Sequence, residues 1–210
     1  MSSFENADSM SAEKLLEAYR ESSIYYIIRL MLAYDRIEQA LPLVNFAISK
    51  FKTGKMLDYG CGASDTGLVF HAFGFGVSIC DIEGGNLDFA RERYNIRSID
   101  ATPIAATKTD IYPDLGKNLD FIAALEVLEH LPSPSEALIK MHASLKKGGV
   151  FAVREKSFEE ISDGDHLSSA HEEWASGKYE TLRNKLFKDV SGWRGRRFRG
   201  SKYMKLYEKI

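Results

Sequence analysis

The sequence is poor in cysteine and contains no long apolar run. Its only cysteines are Cys61 and Cys80, too few for the disulfide framework that stabilises small secreted domains. No apolar stretch reaches the length that a membrane-spanning helix needs. The opening residues MSSFENADSM lack the basic start and apolar run of a secretion signal. The sequence therefore predicts a cytoplasmic protein.

Internal repeats, low-complexity segments and linkers rich in proline or glycine are absent as well. The 210 residues suit one domain with a full hydrophobic core. The hydrophobic content of 44% and the charged content of 28% are ordinary for a globular protein. We therefore expect a single domain over residues 1–210.

Charge is unevenly distributed, although the formal net charge is only −2. The segment from Lys178 to Ile210 holds eleven Lys or Arg residues and three Asp or Glu residues, so it carries +8 and the remainder carries −10. Such a basic segment contacts either an anionic partner, such as nucleic acid, or only solvent. We favour the solvated surface.

Hydrophobic periodicity predicts an α/β protein. Two N-terminal segments have helical spacing and separate near residues 33–35. After them, short apolar runs alternate with helical segments, and the predicted strands are KMLDY, GVSICD, IRSID, LDFIAAL and VFAVRE. This alternation is typical of a parallel sheet covered on both faces. Two consecutive strand-like runs, GWRGRRF and KYMKLYEKI, predict a terminal antiparallel hairpin.

The predicted helices lie between these strands. They cover Ser64–Phe73, Asn86–Tyr94 with Asn86 as N-cap, Ser133–Lys147 and Tyr179–Val190. The third begins with Ser-Pro-Ser-Glu, a capping box with proline at the first helical position.

A glycine-rich turn follows the first predicted strand. Gly60, Gly62 and Gly67 open the next helix, as a nucleotide-binding turn requires. A P-loop is excluded because no Gly-Lys-Ser/Thr follows, and the glycine spacing differs from the G-x-G-x-x-G of dinucleotide folds. Asp81 ends the second predicted strand, where a carboxylate accepts hydrogen bonds from ribose hydroxyls. Asp100 ends the third, where a carboxylate reaches an adenine amino group.

Five segments between Lys55 and Val153 occur in a characteristic order: LDYGCGASDTG, CDIEGGNLDFA, IDA, LDFIAALEVLEHLPSP and SLKKGGVFAV. Together they resemble the motifs of class I S-adenosylmethionine (SAM)-dependent methyltransferases. The resemblance implies a Rossmann-like fold with a mostly parallel seven-stranded sheet, a C-terminal antiparallel hairpin and N-terminal lid helices. It implies a helical lid at 1–50, a SAM-binding core at 55–153, and a substrate lid with the terminal hairpin at 154–210.

The same resemblance assigns the cofactor contacts. The glycine turn holds the methionine end of SAM, Asp81 and Ile82 the ribose, and Asp100 and Ala101 the adenine. The predicted cofactor-binding residues are Asp58, Gly60, Cys61, Gly62, Asp81, Ile82, Asp100, Ala101, Leu125 and Glu126.

Glu126, Glu129 and His130 follow the fourth predicted strand at helical spacing, and two carboxylates with an imidazole suit Mg²⁺, Mn²⁺ or Zn²⁺. This E-x-x-E-H pattern is similar to metal sites in ubiquinone-biosynthesis O-methyltransferases and in small-RNA 2′-O-methyltransferases. The second group adds a distant histidine, for which His166 and His171 are candidates. Alternatively, His130 is a metal-free general base, or the stretch is only scaffold.

We therefore predict methyl transfer from SAM to a hydroxyl or amine of a small molecule. The predicted catalytic residues are His130, Glu129 and His166. Two alternatives remain, a metal-dependent RNA 2′-O-methyltransferase and a SAM-binding sensor or scaffold that does not methylate. The oligomeric state stays open.

Overall fold

A computed structural model describes Glu17 and residues 35–154, 167–192 and 204–210. The helices are α1 (Asp35–Phe51), α2 (Asp65–Ala72), α3 (Gly85–Asn95), α4 (Pro134–Ser144), α5 (Ser168–Ala175) and α6 (Lys178–Leu186). The strands are β1 (Lys55–Tyr59), β2 (Gly76–Ile82), β3 (Ala101–Ala106), β4 (Leu119–Ala124), β5 (Leu145–Arg154), β6 (Phe187–Asp189) and β7 (Met204–Lys209). A short 3₁₀ helix covers Leu128–His130.

The strands form one seven-stranded sheet in the order β3-β2-β1-β4-β5-β7-β6. Strands β1 to β5 are parallel, and β7 pairs antiparallel with both β5 and β6. The predicted fold class is thereby confirmed. The strand order reverses between β1 and β4, and open α/β sheets bind their ligands at the carboxyl ends of the strands beside such a point.

The central strands are apolar because both faces of the sheet are covered. Every residue of β4 is buried. One layer of the core contains Met56, Phe70 and Phe121, and the other contains Leu57, Ile122 and Phe151. Helix α1 packs against α2, and its Leu43, Val44 and Ala47 are fully buried in the first layer. Residues 35–51 therefore form part of the core, whereas the rest of the predicted 1–50 lid, apart from Glu17, lies outside the described residues.

The structure corrects several predicted boundaries. The predicted third strand IRSID is wrong, because α3 continues into a turn in which Ile99 N–H donates to the Tyr94 carbonyl, and β3 begins only at Ala101. The N-cap of α3 is Gly84 rather than Asn86. Helix α4 has the predicted Ser133 cap but ends at Ser144, and helix α5 was not predicted.

The terminal antiparallel pairing is present, but its partners differ from the prediction. Strand β7 lies in KYMKLYEKI as expected, and it pairs with β6, which lies before GWRGRRF at residues predicted to be helical. All of GWRGRRF after Gly192 is outside the described residues. Within the described part of the chain, no helix is long and apolar enough to cross a membrane.

Candidate active site

The turn between β1 and α2 has an unusual backbone conformation. Gly60 and Gly62 have φ of 65° and 51°, and Ser64 also has a left-handed conformation, with φ of 56°. A residue other than glycine in this region costs about 1–2 kcal/mol. The fully buried Ser64 is therefore held by its surroundings.

Hydrogen bonds to Asp58 supply that support. Asp58 is buried near the end of β1, and its Oδ2 accepts from Ser64 Oγ at 2.9 Å and from Gly67 N at 3.0 Å. Asp58, which the sequence predicts to bind the cofactor, thus also stabilises the turn. The sequence reasoning missed Ser64, although its position between the glycines was a signal that could have found it.

Helix α3 fixes the same turn from the other side. The Ser64 hydroxyl has one hydrogen, which Asp58 accepts, so the Tyr94 hydroxyl 3.0 Å away donates to Ser64. Burial raises the pKa of Tyr94, which keeps this donor protonated. Arg93 donates to the Ala63 carbonyl and to Asp65 Oδ1, the latter at 2.8 Å. The turn therefore has a rigid frame on both sides.

Asp81 lies at the carboxyl end of β2 and joins this end to the glycine turn. Its Oδ2 accepts from Gly62 N at 2.7 Å, and its Oδ1 accepts from Ile82 N at 2.8 Å. Burial raises the pKa of Asp81, while hydrogen bonds from the backbone of Gly62 and Ile82 and from the Cys61 side chain act in the opposite direction. A carboxylate has about four acceptor positions, so Asp81 can still accept from a ribose hydroxyl.

Cys61 is buried between these groups. Its backbone N–H donates to the Cys80 carbonyl at 2.9 Å, which ties the turn to β2. Burial, reinforced by Asp81 and Asp58, raises the pKa of the Cys61 thiol. The thiol is therefore a packing group and not a nucleophile.

A cavity of about 390 Å³ lies at the carboxyl ends of β2 and β3. It is lined by Glu17, Ile82, Glu83, Ala106, Thr107, Lys108 and Thr109. Asp100 and Ala101 are not near it. Ala101 pairs with Val77 at the amino end of β3, five residues before the pair Ile82–Ala106 and roughly 16 Å away at 3.3 Å per residue. Asp100 and Ala101 therefore lie at the opposite edge of the sheet from this cavity.

The loop after β4 lies against the glycine turn. Leu125 is buried, and Glu126 has a left-handed backbone with φ of 56°. A Cβ at Gly60 would collide with both γ-methyl groups of Val127. Gly60 therefore has no side chain because this loop occupies the space, and its positive φ adds a second reason.

Glu126 has a basic partner that the sequence reasoning missed. Oε1 of Glu126 lies 2.6 Å from Nη1 of Arg154, which ends β5 on the neighbouring parallel strand. The signal in the sequence was an arginine at the last position of the apolar run VFAVR.

The predicted metal ligands do not form a site. Glu126 is paired with Arg154, Glu129 is buried in the 3₁₀ helix, and His130 is half-buried at its end. Among the residues that the structure describes, no three His, Cys, Asp or Glu side chains are grouped so that they could hold a metal ion. His171 is exposed on α5, and His166 lies outside the described residues.

Comparison with known proteins identifies the family. A family model described as a methyltransferase domain matches residues 32–205. The chain belongs to this family. It is a SAM-dependent methyltransferase, as its motifs predicted.

Individual relatives of the methyltransferase are distant. It is 29% identical over 98 residues to a ubiquinone biosynthesis O-methyltransferase of Pseudomonas syringae pv. tomato, and the match covers 45% of this chain but only 41% of that protein.

Solved structures share the fold over greater lengths. The N-methyltransferase NodS from Bradyrhizobium japonicum, solved with S-adenosylhomocysteine, has a TM-score of 0.64 at 16% identity, over 90% of this chain and 97% of that chain. The 1,6-didemethyltoxoflavin-N1-methyltransferase of Burkholderia thailandensis has a TM-score of 0.61 at 15% identity, over 96% of this chain and 92% of that chain.

Proposed function

We propose that this methyltransferase transfers the methyl group of SAM to a hydroxyl or amine nitrogen of a small molecule, with His130 as a metal-free general base. The observation that carries the proposal is the position of the 3₁₀ helix Leu128–His130. It follows β4 at the carboxyl edge of the sheet, and the adjoining Val127 lies against Gly60 of the glycine turn. A half-buried imidazole is thus placed near the predicted methionine end of the cofactor.

The residues of the turn suit SAM. Gly60 and Gly62 allow the left-handed backbone of the turn, and Asp81 can still accept from a ribose hydroxyl. We place the adenine of SAM in the cavity beside Ile82, which has Ala106 and Thr107 at its wall, and not at Asp100 and Ala101, because the cavity lies at the carboxyl edge of the sheet.

When bound, SAM supplies a methyl group activated by a positively charged sulfur. His130 would accept the proton of an acceptor hydroxyl as the new bond to carbon forms, or the proton that an amine acceptor loses once its nitrogen has bonded to the methyl carbon. The electrons of the sulfur–carbon bond remain on sulfur. General base catalysis of this kind contributes about 10²–10⁴-fold. Buried Glu129, whose carbonyl accepts from Leu167 N at 3.1 Å, fixes the short helix that carries the base.

The described part of the basic segment favours a small acceptor over RNA. Lys178 lies 2.5 Å from Glu173, the Arg183 guanidinium is 4.7 Å from the ring of Tyr207, and Lys209 donates to the carbonyls of His142 and Leu145. These are three of the six Lys and Arg side chains that the structure describes in this segment, and they contact the protein itself, whereas Lys185 and Lys188 are exposed. Four of the other arginines, at 194–199, lie outside the described residues.

The proposal is tested by transfer of a labelled methyl group from SAM. The acceptors are a panel of phenols, catechols and primary or secondary amines, together with a short single-stranded RNA. We expect label in a hydroxyl or amine acceptor, no effect of a chelator, and a loss of about 10²–10⁴-fold in His130→Ala.

The matched control is His71→Ala, because His71 is also half-buried but lies in the last turn of α2, towards the amino edge of the sheet. It should keep activity within about two-fold. Labelled RNA alone would support the RNA alternative, and SAM binding without turnover on any acceptor would support the sensor. Loss of activity with chelator and recovery with Mn²⁺ would contradict the metal-free mechanism.

A further inference from the structure

A charged pair lies at the same sheet edge as the glycine turn. Arg154 is the last residue of β5, and Glu126 follows the end of β4 by two positions. Since β4 and β5 are parallel neighbours, both residues lie at their carboxyl ends. The side chains are 27% and 19% exposed, so the 2.6 Å contact is only partly screened by water.

We propose that the Arg154 guanidinium positions Glu126 and so holds the loop Glu126–His130 against the glycine turn. In the metal-binding interpretation of E-x-x-E-H, a divalent metal ion would have this role. Arg154 is thus a positioning residue. The inference rests on the proposed function, because this loop carries the proposed base.

The backbone of Glu126 requires such a partner. Its φ of 56° lies in the left-handed region, which is costly for a side chain of this size. Strained residues persist at functional sites only when neighbouring contacts fix them. The ion pair with Arg154 on one side and the contact of Val127 with Gly60 on the other provide these contacts.

A displacement of Glu126 would be transmitted in both directions along the loop. Val127, the next residue, fills the space that a side chain at Gly60 would need, and its carbonyl accepts from His130 N at 3.0 Å. Loss of the ion pair therefore disturbs the cofactor turn and the proposed base together.

The charge balance agrees with this assignment. The Glu126 carboxylate is already neutralised by Arg154, and the described residues offer no group of three ligands at which a metal could do the same. The guanidinium also presents several N–H donors in a plane that matches a carboxylate, so it can hold Glu126 without an ion.

The first test measures metal binding by the full chain. Free Mn²⁺ is counted by electron paramagnetic resonance during titration with MnCl₂, with and without S-adenosylhomocysteine. We expect no stoichiometric site. One Mn²⁺ per chain that Glu126→Gln removes would overturn the proposal.

The second test measures the affinity for S-adenosylhomocysteine by calorimetry, which needs no acceptor. Arg154→Ala should bind about 10-fold more weakly, because a partly buried carboxylate loses its partner. Arg154→Lys and added guanidinium chloride at millimolar concentration should each restore much of the affinity. Glu126→Gln, which keeps the shape of the side chain, should also bind more weakly.

Arg91→Ala is the control, because Arg91 pairs with Asp88 on an exposed helix face, and it should stay within about two-fold of wild type.

Thermal melting of every variant confirms that it is folded. Wild-type affinity in Arg154→Ala would overturn the proposal, and so would a loss that neither lysine nor guanidinium restores. If both tests succeed while no acceptor is methylated, the failure belongs to the proposed function and not to the role of Arg154.

Discussion

Ser64 Oγ donates a hydrogen bond to Asp58 Oδ2 at 2.9 Å, from a backbone that favours glycine. The hydrogen bond compensates for the cost of a serine at a backbone conformation that glycine would adopt more easily. Ser64→Ala keeps the backbone cost but leaves Asp58 with one donor fewer, so we expect a loss of about 1–3 kcal/mol in the free energy of unfolding. Ser64→Gly removes the backbone cost of about 1–2 kcal/mol as well, so it should be less destabilising than Ser64→Ala. Urea denaturation ranks the two variants, and the opposite order would contradict the backbone cost assigned to Ser64.

The contact between Gly60 and Val127 makes a second prediction. Gly60→Ala should lose affinity for S-adenosylhomocysteine, because the new methyl group occupies the position of the Val127 γ-carbons. Gly60→Ala combined with Val127→Ala should recover part of it, while the positive φ still costs about 1–2 kcal/mol. Calorimetry on the single and double variants measures the coupling. Strictly additive effects would show that the two residues do not compete for space.

Asp81 makes the affinity for SAM dependent on pH. Burial raises the pKa of Asp81, and ribose hydroxyls would donate to its charged form, so binding should lower this pKa and release a proton. Affinity should therefore fall as the pH drops through the raised pKa of the free protein. Calorimetry in buffers of different ionisation enthalpy measures the proton. Asp81→Asn should bind more weakly at neutral pH and should lack the dependence, and an identical pH profile in the variant would reject the assignment.

The same raised pKa has the opposite sign for folding. A group with a raised pKa in the folded state stabilises the protein at low pH and loses this contribution as the pH rises through that value. The asparagine of Asp81→Asn does not titrate, but its amide oxygen can accept only one of the two backbone hydrogen bonds, so the pH dependence is the test and not the absolute stability. Thermal melting of the ligand-free protein from acidic to neutral pH should show a smaller loss of stability with rising pH in Asp81→Asn than in the wild type, and an equal loss in the variant would count against burial as the dominant cause.

Glu173 makes a prediction for acid stability. Burial alone would raise the pKa of Glu173, but hydrogen bonds from Lys178, Ser135 and Ser133 lower it to about 2. A lowered pKa stabilises the protein above the unfolded value of 4.5, and the contribution, about 3 kcal/mol, is lost as the pH falls towards 2. Glu173→Gln should show a smaller loss of stability over this range. Glu180→Gln is the control, because the Glu180 side chain is 66% exposed, and urea denaturation from pH 6 to pH 2 compares them.

The central strands were predicted well from the sequence, because strands that are buried on both faces consist of consecutive apolar residues. LDFIAAL corresponds to β4, which is buried throughout. The edge strand β3 has no such signal, because it is short and half-exposed and contains Pro103. The isoleucines of IRSID instead suggested a buried strand, although Ile96 is 68% exposed. Edge strands tolerate proline because one side of their backbone is unpaired.

Contacts between side chains on neighbouring strands could not be predicted from the sequence either. Glu126 and Arg154 are 28 positions apart, and only the parallel pairing of β4 and β5 brings their ends together. The E-x-x-E-H spacing indicated three ligands on one helical face. In the structure, Glu126 precedes the 3₁₀ helix and has a left-handed backbone conformation. The helical geometry that the metal prediction assumed is therefore absent at Glu126.

Strand β7 comes after β6 in the chain but lies between β5 and β6 in the sheet. During synthesis on the ribosome, β5 therefore has an open edge until residues 204–209 have been made, and β6 has no strand to join before then. An unpaired edge of apolar residues such as Val150, Phe151 and Val153 is a template for association with other chains. Nascent chains that stall before Met204 should consequently depend on chaperones far more than the finished protein does.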